Sequence, residues 1–264
     1  LPLKPLYKLI GQVIAASMVI YLSGIKLGSF YGLFGIYELH PFVSYILTLF
    51  TIIVITNSFN LIDGLDGLAG SISSISLLAF GVYFYLVDEN LINIMIFSMI
   101  GSLLAFLNFN WEPSKIFMGD TGALLVGFVL SITTIYFIEY NYNLDANSPF
   151  KFSASIATAI SFLIMPLFDT LRVFISRALR NKSPFAPDKT HIHHFLMRLG
   201  LRHSGSVIVM VLVNILFICI AILAMDYGDN MVLPAVVLLA LALSLLLDFL
   251  ISRKYPRRIR IKKS

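Results

Sequence analysis

The 264-residue chain is 58% hydrophobic and 12% charged, against roughly 25% charged in soluble domains, and its mean hydropathy is +0.90. That composition excludes a water-soluble enzyme and marks an integral membrane protein. The single cysteine, Cys219, excludes a disulfide framework and a thiolate metal site. The net charge of +5 sits in short loops and the C-terminal tail, a pattern of membrane topology and anionic-lipid contact rather than nucleic-acid binding.

A membrane span needs about 20 predominantly apolar residues. In chain order the sequence supplies eight: 9–25, 42–56, 68–87, 91–107, 123–138, 152–175, 206–225 and 231–251. The second is the shortest and needs Pro41 and Ser58 as interfacial flanks. Short loops and the lack of repeats predict one all-α transmembrane domain over 1–264, a polytopic bundle with both ends cytoplasmic. Lys and Arg set that orientation. With alternating spans, the cytoplasmic side collects Lys4, Lys8, Lys115, Arg172, Arg177, Lys189, Arg198, Arg202 and the basic tail. The outer loops keep Lys26 and Lys151 and are otherwise acidic. Three polar clusters, within 57–66, 108–120 and 172–203, then share one membrane surface.

The first cluster closes the second span. Asn57, Asn60, Asp63 and Asp66 lie within ten residues, and Gly64 and Gly67 follow the two aspartates. Carboxylates at a membrane boundary are costly unless paired, hydrated or bound to a cation. Hard oxygen donors in this number suit Mg²⁺ and substrate phosphate; the plain alternative is an Asp-Gly turn with a helix cap.

The second cluster runs from Trp111 to Gly122. Asp120 and Thr121 fall at a helix start, where backbone N–H groups and the dipole favour anions. Phe117 is placed to stack on a base, and Lys115 adds a cation. Here too a simple cap is the alternative.

The third cluster holds Lys189, His191, His193, His194 and Arg198. Three histidines in four residues invite a zinc reading, but no fitting fourth ligand is at hand except His203. A basic clamp on pyrophosphate fits better; a solvated basic loop is the alternative. Asp169 reads as structural, paired with Arg172 or Arg177, with Pro166 kinking its helix. Asp248, near the end of the last span, is most simply paired with Arg253 or placed in the membrane interface.

These residues resemble the polyprenyl-phosphate N-acetylhexosamine-1-phosphate transferases, glycosyltransferase family 4. The resemblance rests on Asn-Ser-Phe-Asn-Leu-Ile-Asp-Gly-Leu-Asp-Gly-Leu (57–68), Lys-Ile-Phe-Met-Gly-Asp-Thr-Gly (115–122) and Ser-Pro-Phe-Ala-Pro-Asp-Lys-Thr-His-Ile-His-His (183–194), with Pro-Leu-Phe-Asp at 166–169. It implies transfer of a sugar 1-phosphate from a UDP-N-acetylhexosamine to undecaprenyl phosphate, releasing UMP, at the cytoplasmic face of a bacterial inner membrane. It further implies Asn60 and Asp120 as ligands of Mg²⁺, with Mn²⁺ as the substitute. Asp66 and Phe117 would face the uracil. His191, His193 and His194 would grip the phosphates, supported by Asp63, with Asn57, Lys115, Lys189 and Arg198 as further substrate contacts. Membrane lipid is the other partner, and a homodimer is left open.

The His-Ile-His-His form, followed by Phe-Leu-Met-Arg-Leu-Gly, resembles the branch that uses UDP-N-acetylglucosamine or a related UDP-sugar as donor. The in-family alternative is the phospho-N-acetylmuramoyl-pentapeptide transferase branch. The family carries an Asp-Asp pair ahead of a stretch like residues 1–12, and no Asp-Asp occurs here. The resemblance therefore implies a fragment lacking N-terminal helices and that loop. A non-catalytic scaffold and a transporter are the readings from other classes. Transport is disfavoured by polar clusters that fall at span ends rather than at mid-bilayer.

Overall fold

The computed structural model describes residues 5–179 and 190–255. The helices in chain order are α1 (Pro5–Ser23), α2 (Pro41–Ile62), α3 (Leu68–Leu86), α4 (Asn90–Asn110), α5 (Gly119–Asn143), α6 (Ser155–Phe162), α7 (Ile164–Ala178), α8 (Ile192–Arg198), α9 (His203–Leu223) and α10 (Asp229–Lys254). Among the described residues, α1 to α5, α9 and α10 are each long and apolar enough to cross a membrane. Backbone polarity leaves little choice, because lipid offers no partner for an unpaired N–H or C=O.

The predicted span 152–175 is broken. α6 and α7 meet at Leu163 with an 82° bend, so they form an eighth span only if taken as one bent unit. The sequence put the kink at Pro166, one turn too late. A proline has no N–H, so the carbonyl four residues earlier loses its helical partner, and here that carbonyl is Phe162. It accepts instead from Ser76 Oγ of α3 at 2.6 Å and Asn214 Nδ2 of α9 at 3.3 Å. The buried Asn214 also accepts from the Met165 N–H at 3.4 Å. Two neighbouring helices thus satisfy the groups that the break exposes.

The predicted span 42–56 is longer than its apolar run: α2 continues to Ile62. Asn57 and Asn60 therefore ride on helix rather than in the following loop. α2 crosses α5 almost backbone on backbone. A Cβ at Gly127 would lie 2.8 Å from the Thr56 carbonyl oxygen and 3.0 Å from Phe59 Cβ. Any larger residue would push the two helices apart.

α3 is the central rod, packed on α4, α5, α6 and α9. Its Phe80, Tyr83 and Phe84 meet Phe137 and Tyr136 of α5 and Phe162 of α6, mostly edge to face, the geometry aromatic quadrupoles prefer. At one end of the bundle, Glu139 of α5 accepts from the Gly28 N–H at 2.6 Å and from the Tyr31 hydroxyl, anchoring the α1–α2 loop. The polar motifs gather at the other end.

Candidate active site at one end of the bundle

The chain leaves α2 at Asp63 and re-enters a helix at Gly67, whose φ of +77° is open to glycine at little cost. The Gly67 N–H donates to Asn110 Oδ1, the last residue of α4, at 2.9 Å, and Asn110 Nδ2 donates to the Ile116 carbonyl at 2.8 Å. Asp66 Oδ2 accepts from the Ser114 N–H at 3.4 Å. The first two sequence motifs are therefore laced together by hydrogen bonds between side chains of one and backbone N–H groups of the other. Trp111 closes the joint, with its ring 2.8 Å from where a Gly67 Cβ would stand.

Asp63, Asp66 and Asp120 converge. Burial together with the charges of Asp120 and Asp66 pushes the Asp63 carboxyl up to about 6. Asp120 lies in the first turn of α5, as expected, and ion-pairs with Lys8 of α1. One turn along α1, Gln12 accepts from Asn57 Nδ2 at 2.7 Å. Lys8 and Gln12 are site residues that sequence reasoning missed. Their signal was a polar pair four residues apart on an apolar helix.

The third motif docks onto the first. His193 is buried, and a Cβ at Gly64 would meet its Cε1 and Nε2 at 3.0 Å. Among the described residues, its two ring nitrogens have no hydrogen-bond partner. Burial and the neighbouring His194 lower its pKa to about 4, so the ring is neutral near pH 7. This ring packs against the Gly64 turn rather than carrying charge. Lys115 and Phe117 are exposed at the rim, and Lys189 lies outside the described residues.

The pairing expected for Asp169 is overturned in its partner. Asp169 Oδ2 lies 2.8 Å from His191 Nδ1, and Oδ1 accepts from the Ile192 N–H at 2.9 Å. Arg172 reaches elsewhere: to Asp248 of α10 at 2.5 Å, to the Thr190 carbonyl at 2.9 Å, and over the Phe195 ring at 4.4 Å. Asp248 is thus held by Arg172 rather than by Arg253, its neighbour on the same helix. The last turn of α10 also caps α8. Lys254 Nζ donates to the Leu199 carbonyl at 2.6 Å and the Tyr255 hydroxyl to that of Arg198 at 3.1 Å. Glu112 ties the α4–α5 loop to the first turn of α9 by accepting from the Ser204 N–H at 2.7 Å.

Asn60, Asp63, Asp66 and Asp120 offer only hard oxygen donors. Among the described residues no three His, Cys, Asp or Glu side chains form a ready-made metal cage. The oxygen-donor chemistry is of the kind Mg²⁺ takes, one or two carboxylates with water and substrate phosphate completing the shell.

The family profile described as glycosyl transferase family 4 matches residues 1–138, just over half of the chain. The chain belongs to that family. A Bacillus subtilis (strain 168) protein named "Probable undecaprenyl-phosphate N-acetylglucosaminyl 1-phosphate transferase" is 41% identical over 119 residues, 45% of this chain and 31% of the relative. The Escherichia coli O157:H7 undecaprenyl-phosphate alpha-N-acetylglucosaminyl 1-phosphate transferase is 30% identical over 189 residues, 70% of this chain and 49% of the relative. The Mycolicibacterium smegmatis decaprenyl-phosphate N-acetylglucosaminephosphotransferase is 34% identical over 115 residues, 42% and 28% respectively. The matched part is about half or less of each of these relatives. In family 4 terms, the 1–138 match contains Asn60, Asp63, Asp66, Phe117 and Asp120.

Proposed function

We propose that this protein transfers a sugar 1-phosphate from a UDP-sugar to a polyprenyl phosphate at the cytoplasmic face of a bacterial inner membrane and so starts cell-envelope polysaccharide synthesis. N-acetylglucosamine 1-phosphate is the group transferred, undecaprenyl phosphate the acceptor and UMP the product released. The observation that carries this is the docking of the His191–His194 segment onto the Asp63–Gly67 turn, with His193 against Gly64. It joins an acidic oxygen-donor cluster to a histidine-bearing segment at the end of a membrane bundle. The names of the relatives support the acceptor and the sugar.

In the reaction, an oxygen of the lipid phosphate forms a bond to the β-phosphorus of the donor. The bond from that phosphorus to the oxygen bridging to UMP breaks, and UMP leaves with its electron pair. Phosphoryl transfer of this kind depends mostly on positioning and charge neutralisation. Mg²⁺, held by Asp120 and Asn60, would supply charge neutralisation on the pyrophosphate. His191 and Arg198 orient phosphate oxygens by hydrogen bonds. Asp66 accepts from the uracil edge while Phe117 stacks on its face. Lys8, on leaving Asp120, meets a phosphate oxygen.

The test is UMP release by the whole natural protein in membrane vesicles supplied with undecaprenyl phosphate. UDP-N-acetylglucosamine and UDP-N-acetylmuramoyl-pentapeptide are compared as donors, with and without Mg²⁺. Release that needs the first donor, lipid and metal, and that is lost in Asp120→Asn, is the expected result. Release with the pentapeptide donor alone replaces the donor assignment; release with neither donor replaces the enzyme by a scaffold.

A further inference from the structure

Asp169 lies on α7, beyond the break in the sixth apolar segment, and is 1% exposed. A carboxylate so buried needs partners, and its two oxygens take different ones. Oδ1 accepts from the Ile192 N–H, and Oδ2 meets His191 Nδ1 at 2.8 Å. A carboxylate can only accept, so the proton of that contact belongs to Nδ1. Nε2 is then the ring nitrogen left for a ligand. His191 precedes α8 with extended backbone (φ −62°, ψ 151°), so the ring is fixed by its own chain and by α7 together.

We infer that Asp169 is a positioning residue that sets the tautomer and orientation of His191, so that Nε2 meets a substrate phosphate. This rests on the function proposed above. With Nδ1 committed to Asp169, His191 presents Nε2 to an anionic oxygen, while His193 packs against Gly64. The arrangement separates His191 from His193 by role, although the sequence presents them as equivalent.

Asp169→Asn separates the two bonds. The amide keeps an oxygen to accept from the Ile192 N–H, but its NH₂ now faces His191 and donates to Nδ1. The ring proton moves to Nε2 as a fixed tautomer, and the charge behind the ring is gone. The whole natural protein is studied in membrane vesicles as wild type, Asp169→Asn, Asp169→Glu, His191→Ala and the double variant Asp169→Asn/His191→Ala. The expected results are a kcat lower by on the order of 100-fold in Asp169→Asn with the donor KM within roughly threefold, and partial recovery in Asp169→Glu. The double variant should be no slower than His191→Ala alone, because Asp169 acts through that ring. A further loss in the double variant, or full activity in Asp169→Asn, overturns the inference. A second readout needs no turnover: ¹⁵N NMR of histidine-labelled protein, with the His191 signal assigned by its loss in His191→Ala. Nδ1 protonated in the wild type and unprotonated in Asp169→Asn supports the pairing; Nδ1 unprotonated in the wild type overturns it. Absence of UMP release by the wild type would strike the proposed function, and the NMR result would still decide on Asp169.

Discussion

Lys8 of α1 and Asp120 of α5, 112 residues apart in sequence, form an ion pair at the mouth of the acidic cluster. It gives the cluster a cation of its own and links the start of the first helix to the start of the fifth. The carboxylate is half exposed (52%) and the ammonium less so (23%), so the pair is worth no more than about 1 kcal/mol. A divalent ion with substrate phosphates can displace it.

Lys8→Gln removes that competitor. The affinity of the resting protein for Mn²⁺, read by electron paramagnetic resonance, should rise by up to about fivefold. UMP release should fall, because the same ammonium is needed at a phosphate oxygen. Unchanged Mn²⁺ affinity would show that Lys8 and the metal do not share Asp120.

Gly67→Ala should be more damaging than Gly64→Ala. At Gly67 a methyl group meets both a φ of +77° and the Trp111 ring at 2.8 Å, adding a left-handed backbone cost of about 1–2 kcal/mol to an overpacking cost of about 1–3 kcal/mol. At Gly64 the backbone is ordinary and only the His193 ring must shift from 3.0 Å. Thermal midpoints in detergent should rank wild type, Gly64→Ala and Gly67→Ala in falling order, with both variants slowed in UMP release.

His193 makes stability depend on pH. Its folded pKa of about 4 lies below its ordinary value of 6.5, so between those values the unfolded chain binds more protons. The contribution is present in full above about pH 6.5 and is lost as pH falls to about 4, at no more than about 1.4 kcal/mol per pH unit. Thermal midpoints measured across that window should fall with pH in the wild type and fall less in His193→Phe.

The broken span offers a further test. Asn214→Ala leaves the Phe162 carbonyl with Ser76 as its bonded side chain and the Met165 N–H without its acceptor. Polar bonds between membrane helices average about 0.6 kcal/mol. The single variant should therefore lower the thermal midpoint modestly, and Ser76→Ala/Asn214→Ala should lower it by more than the two singles combined. Additive losses would show that the two side chains do not share one carbonyl.

The sequence revealed the long helices and the Asn57–Asp66 cluster because hydropathy and short-range polarity are local signals. It misplaced the bend because Pro166 acts on the carbonyl four residues behind it, at Phe162. Asp169 was matched to Arg172 or Arg177 by helical spacing, whereas the partner that the fold supplies, His191, lies 22 residues later in sequence. Lys8 was read only as a topology charge, since nothing near it in sequence announces Asp120. Likewise His191 and His193 are two residues apart and identical in type. Packing on Asp169 and on Gly64 is what separates them, and packing is not written in a motif.

The most direct measurement follows the β-phosphorus. UDP-N-acetylglucosamine labelled with ³²P at the β-position is given to membrane vesicles holding the whole natural protein and undecaprenyl phosphate, and lipid and water phases are separated. Transfer of a sugar 1-phosphate predicts label in the lipid phase, unlabelled UMP in the water phase, and neither in Asp120→Asn. Label that stays in the water phase while the sugar moves to lipid, or while nothing moves, would contradict the account.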